Sequence, residues 1–221
     1  MNRAENARER ARTLRARAYR EAVCEAAEQL FAERGIDATK MEDVSAAAGL
    51  SLATVYSVFS GGKSEIVHRI HRERLGELAG FAVDEAARGA PAPDALRRAV
   101  RSAISFFVAH PDYLRMHLRE GHAWFMPMAV AAHARQGAES WEEGVGALIE
   151  IIDHGIATGA FRAGDARRAA KAVVTLEQLH LAEWIEEGEQ ETADEVFARF
   201  WSDVEALLGT SGERPARADA G

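Results

Sequence analysis

Apolar residues recur every third or fourth position along most of this chain, the period of a helix with one buried face. From about Leu14 to Arg34 the stripe is Val23, Ala27, Leu30 and Phe31, and Gly35 stands where a left-handed residue closes a helix. Thr39-Lys40-Met41-Glu42 then has the form of a capping box, with Thr39 as N-cap and Glu42 reaching back. It opens a short helix, Met41 to about Ala48, which turns Met41, Val44 and Ala48 inward and breaks at Gly49. Ser51 caps a second short helix to about Val58, ended by Ser60-Gly61-Gly62. The next helix starts near Lys63 and carries Ile66, Val67, Ile70 and Leu75 in register.

The same period continues to the end of the chain. Gly89 to Pro93 is a break, after which Asp94 caps a helix to His110, stopped by Pro111. Asp112 to about Glu120 follows. A longer helix spans about Ala138 to Thr158, with Val145, Leu148, Ile149, Ile152 and Ile156 aligned. Asp165 caps a helix to about Glu187. A capping box, Thr192 to Glu195, opens the last one, whose wide stripe holds Val196, Phe197, Phe200, Trp201, Val204, Leu207 and Leu208. The polar tail after Gly209 is expected to be disordered. The fold class that follows is all-α.

Two short helices around a glycine turn form a helix-turn-helix pattern. Val44, Ala48, Leu50, Val55 and Phe59 are placed to pack on the preceding helix and to hold the second short helix outward, ready for a major groove. The stretch from Ala22 to Ile66 adds specificity. Its run AAEQLFAERGIDATKMEDVSAAAG, the following Ser-x-x-Thr-x-Tyr-x-x-Phe and the basic residue opening the next helix closely resemble the N-terminal domain of the tetracycline-repressor (TetR/AcrR) family.

The resemblance implies a homodimeric transcriptional regulator acting on double-stranded, near-palindromic operator DNA. It would be a repressor released by a small, mainly apolar inducer. The alternative is a helix-turn-helix protein whose C-terminal domain binds a protein partner instead of a metabolite. The implied layout is an extended or disordered Arg-rich arm over 1–12, a three-helix DNA-binding domain over 13–65, a ligand-binding and dimerisation domain over 66–209, and a disordered tail over 210–221. Carried over by residue, Thr39, Tyr56 and Lys63 would contact phosphates, and Ser51, Leu52, Ala53, Thr54 and Ser57 would face the bases. Two departures stand out. The family commonly has a basic residue where Leu52 stands, so the reading helix here has no charged side chain. Three residues separate Phe59 from Lys63 where the family usually has two.

Charge sharpens this picture. The net charge is -8, yet residues 1–75 hold 13 Lys+Arg against 11 Asp+Glu, and the remainder 14 against 24. Residues 1–20 alone have seven Arg and two Glu, so basic charge sits at the N-terminus, where it can supplement an uncharged reading helix. Cys24 is the only cysteine, which excludes an intrachain disulfide and a cysteine-based zinc site. The charged N-terminus is not a secretory signal, and no apolar run is long enough to span a bilayer. A cytoplasmic protein without membrane association is the expectation.

In the C-terminal half, the apolar character of the last two helices points to burial on more than one face. Val173, Leu176, His180, Trp184, Val196, Phe197, Phe200, Trp201 and Val204 are the candidate dimer interface. The ligand candidates are Phe106, Met116, His117, His122, Trp124, Phe125 and Met128, with Trp141 and Glu177 among the polar anchors. Such stripes at helical spacing are core more often than pocket. No P-loop, dinucleotide-binding glycines, HExxH or nucleophile elbow is present, so neither catalysis, a cofactor nor a metal is expected.

Overall fold

Helix-forming residues and well-placed caps leave the backbone few alternatives, and the computed structural model is helical throughout its described secondary structure. It describes residues 3–119, 138–162 and 164–209; of residues 3–7 and 138–142 only the backbone is described. The expected tail over 210–221 lies outside them. The helices are α1 (Arg3–Arg34), α2 (Met41–Ala47), α3 (Leu52–Val58), α4 (Gly62–Ala87), α5 (Ala92–Ala109), α6 (Pro111–Arg119), α7 (Ala138–Ala157), α8 (Ala166–Glu186) and α9 (Ala193–Leu208).

The caps explain most boundaries. Ser51 Oγ accepts the Thr54 amide at 3.1 Å, and Asp165 Oδ1 accepts that of Arg168 at 3.1 Å. At α9 the capping box forms as expected, with the Thr192 amide donating to Glu195 Oε2 at 2.7 Å. Three expectations fail. Asp94 does not cap α5: it lies within the first turn, and the N-cap is Pro91, whose ring makes no cap bond. Thr39 does not cap α2: the N-cap is Lys40, whose amide donates to Asp43 Oδ2 at 3.3 Å, because the Thr39 hydroxyl is turned inward. Helix α1 begins at Arg3 rather than Leu14, so from Arg3 onward the segment expected to be a disordered or extended arm is a continuation of the first helix. Its alanines, arginines and glutamates simply propagate a helix already nucleated downstream.

The chain forms two compact units. The first comprises residues 1–75 and 111–138. Here α6 lies against α1, and α2 and α3 pack on α1 and on each other. Phe31, Val44, Val55, Phe59, Ile66 and Ile70 are fully buried, and Arg74 clasps Glu28 through two bonds of 3.0 and 3.1 Å. Gly35 (φ 84°) and Gly49 (φ 67°) take the left-handed conformation at the two turns flanking α2.

The second unit comprises residues 76–110 and 139–221. Helices α5, α8 and α9 form its centre. Arg97 lies over the rings of Phe197 and Trp201, which stack on each other, at 5.6 and 5.3 Å. Helix α7 meets α4 at Gly144, where an added Cβ would come within 3.0 Å of the Ala79 backbone. Among the described residues, no helix is long and apolar enough to cross a membrane.

Candidate nucleic-acid interface

Seven-residue helices are too short to persist alone in water, so α2 and α3 depend on what holds them. Val44 and Val55 are the buried anchors. The Leu50 amide donates to the Ser45 carbonyl at 2.9 Å across the Gly49 turn. At the far end, Arg20 of α1 donates through Nε to the Val58 carbonyl at 3.3 Å, which occupies an orphan acceptor at the C-terminus of α3.

Helix α3 buries Val55 and Val58 and turns its other face to solvent. Ala53, Tyr56 and Ser57 are exposed there, with Leu52 and Thr54 half-buried beside them and Ser51 exposed at the cap. Ser51 and Thr54 share a hydroxyl bond of 2.8 Å, and Ser57 Oγ donates to the Thr54 carbonyl at 2.7 Å. This face is therefore neutral, populated by hydroxyls, methyls and one phenol. The Tyr56 hydroxyl bonds no described residue, and its side chain is 43% exposed.

Thr39 and Lys63 are placed differently from the surface roles the resemblance implies. The Thr39 side chain is 2% exposed, and its hydroxyl donates to the Gly35 carbonyl at 2.8 Å, with that of Leu30 at 3.4 Å. Lys63 Nζ donates to the carbonyls of Ile36, Asp37 and Thr39 at 2.7, 3.2 and 3.1 Å. An ammonium has three protons, and all are used on the loop between α1 and α2. The extra residue before Lys63 is accommodated by Gly62, at φ 63° beside the Tyr56 ring. The Glu65 carboxylate closes that loop by accepting the Gly61 amide at 2.8 Å.

The C-terminal candidates divide between the units. Met116 and His117 are buried in the first, beside Tyr113, whose hydroxyl lies 3.4 Å from His71 Nδ1. Phe106 is buried in the second, edge-on to Phe81 and Phe107. His122, Trp124, Phe125, Met128 and the Trp141 side chain lie outside the described residues. The second unit has a cleft of about 210 Å³ walled by Glu85, Ala92, Ala95, Glu150, Ile151 and His154, and no candidate ligand residue lines it. Glu85 is neutralised there by Arg88 and Arg98.

Glu177 is the outstanding polar group of the second unit. It sits in the buried stripe of α8 between Val173, Val174 and Leu181, and its Oε1 has no hydrogen-bond partner. Burial pushes its pKa from 4.5 to about 8, which keeps the carboxyl protonated at neutral pH. Sequence reasoning had no means of foreseeing its isolation, since that depends on what α5 and α9 bring near it. Burial likewise pushes the Cys24 thiol up to about 12, so it stays protonated and unreactive.

The dimer candidates require a correction. Val173, His180, Trp184, Val196, Phe197, Phe200, Trp201 and Val204 are buried within the single chain; only Leu176 is half-exposed. The aromatic stripe of α9 is covered by α5 and α8, with His180 Nε2 2.9 Å from Asp203 Oδ2 on its edge. The stripe left uncovered on α8 runs through Ala172, Thr175, Leu176, Leu179 and Ala182, with Leu179 51% exposed.

A short-helix pair held on a long helix is a helix-turn-helix arrangement, and a second all-helical unit accompanies it. Residues 23–70 match the profile of bacterial regulatory proteins, tetR family. The chain is similar in fold to the TetR-family transcriptional regulator PfmR from Thermus thermophilus, at 25% identity over 87% of this chain and 99% of that one, with a TM-score of 0.70. It is also similar to FadR from Bacillus subtilis, solved with stearoyl-CoA, at 18% identity over 88% and 99% and a TM-score of 0.71. A tetR-family regulatory protein from Rhodococcus RHA1 superposes with a TM-score of 0.74, at 19% identity over 87% and 98%. The last two comparisons show the fold. No curated protein matches the sequence. Over residues 23–70 the chain is thus similar to the tetR family of bacterial regulatory proteins, and its fold is similar to that of TetR-family transcriptional regulators.

Lys63→Met keeps the stem and removes three donors; thermal unfolding without DNA is expected to show a loss of about 1–3 kcal/mol, whereas a purely DNA-facing lysine would leave it unchanged. Glu177 holds its proton more tightly folded than unfolded. Its stabilising contribution is complete below pH 4.5 and is lost as pH rises through about 8. In denaturant titrations across that window, Glu177→Gln is expected to flatten the decline.

Proposed function

We propose that this protein is a homodimeric, ligand-responsive repressor whose α3 enters the major groove of a near-palindromic operator. The observation that carries the reading is the uncharged outer face of α3, held outward by Val55 and Val58 and bearing a phenol with no partner among the described residues. Tyr56 anchors a phosphate, and Ser51, Ala53, Thr54 and Ser57 meet base edges and thymine methyls. Leu52 adds apolar contact. Thr39 serves through its backbone, because its hydroxyl is turned inward.

The inducer is a small, mainly apolar molecule bound by the second unit, with Glu177 as a neutral hydrogen-bonding anchor. Support comes from the orphaned Oε1. The stearoyl-CoA complex of the similarly folded FadR makes long acyl chains the first apolar class to screen, both as free acids and as the larger, anionic CoA thioesters. Dimerisation uses the exposed stripe of α8. An isologous contact places Leu179 against its symmetry mate, and the small residues Ala198 and Ala206 of α9 are exposed as well.

Selection of bound duplexes from a random pool, followed by footprinting, tests the DNA reading; recovery of no enriched sequence would overturn it. On an enriched duplex, Tyr56→Phe is expected to weaken binding about tenfold for matched and mismatched sites alike, measured by fluorescence anisotropy. Leu179→Arg is expected to give a folded monomer in sedimentation velocity. A variant that remains a dimer would show that the interface lies elsewhere.

A further inference from the structure

The helical lead of α1 has a surface that nothing in the first unit accounts for. Residues 8–15 are all exposed, so this stretch has no packing partner among the described residues. Between residues 8 and 20 there are six arginines and one glutamate. Arg17 pairs with Glu21 at 2.7 Å and Arg20 is committed to the Val58 carbonyl. Arg8, Arg10, Arg12 and Arg15 pair with no described side chain.

Their register is informative. Arg8, Arg12, Arg15 and Tyr19 are spaced by four, three and four residues, and the same series continues through Val23, Ala26 and Leu30. The last three are buried. One face of α1 is thus apolar where the helix is covered and arginine where it projects. Arg20 fixes the helix at the C-terminal end of α3. Residues 8–15 then extend roughly 8–18 Å past that point at about 1.5 Å per residue.

We infer that this projecting, arginine-bearing stretch of α1 is a second DNA contact, which grips the phosphate backbone of the duplex just outside the segment read by α3. The inference rests on the DNA-binding reading above. Duplex DNA supplies about one charge per 1.7 Å of axis, a dense match for four unpaired guanidiniums on about two turns of helix. The arrangement also supplies the electrostatic attraction that the neutral face of α3 lacks.

The test replaces Arg8, Arg10, Arg12 and Arg15 together with Gln, and separately with Lys. All four side chains are exposed, so circular dichroism should show an unchanged fold. Affinity for a duplex selected by the wild-type protein, and for a random-sequence duplex of equal length, is measured across a potassium chloride series. Each lost phosphate contact lowers the slope of log K against log salt by about 0.9. The Gln variant is expected to lose roughly 2–4 from that slope on both duplexes, and the Lys variant to retain it. An unchanged slope in the Gln variant overturns the inference and leaves the DNA reading intact. An unchanged slope together with lost binding to phosphatidylglycerol vesicles would reassign the stretch to a membrane surface. A wild-type protein that selects no duplex ends the DNA reading itself.

Discussion

The ammonium of Lys63 sets the geometry of the first unit. Three carbonyls of one loop, those of Ile36, Asp37 and Thr39, point at one cation and are held within 3.2 Å of it. Without it, the exit from α1 would have three acceptors in need of water. With it, the loop is drawn toward the start of α4, Thr39 folds its hydroxyl under the turn, and α2 starts at Met41 with its buried Val44. The seven-residue helices inherit a position that they could not define by themselves.

The second unit is organised differently. Its aromatic stripe is buried inside the chain, with Arg97 and Arg101 covering the open ring faces through their guanidiniums. What remains outward on α8 is a narrower, partly apolar strip around Leu179. Phe197 and Trp201 lock the unit together, and the strip on α8 stays uncovered within the chain. In the proposed dimer, the contacts that hold each fold would differ from those that join two copies, so the copies could shift without unfolding.

Much of the architecture was legible in the sequence because its signals are local. Ser51, Asp165 and the Thr192–Glu195 box are contacts between residues three apart, and the helices they open start where expected. The helix-turn-helix was legible for the same reason. The errors came where long-range contacts decide. Thr39 had the right neighbours for a cap, but carbonyls of Leu30 and Gly35 compete for its hydroxyl. Nothing local marks Lys63 as a clamp on the loop, because its three acceptors are 24 to 27 residues away in the chain. An amphipathic stripe such as that of α9 records only that a face is buried, and says nothing of whether the same chain or another buries it.

The cations of the first unit differ in how water and salt reach them. Lys63 works at contact distance, part-buried and without intervening solvent, where dissolved ions hardly compete. The arginines at the start of α1 are bare to solvent, where mobile ions screen their field within about 10 Å at 0.1 M. Rising ionic strength would thus strip the protein of its reach toward other polyions while the head that carries α3 stays assembled, so that release is a matter of detachment and not of melting, and the molecule is ready to bind again once the salt is diluted.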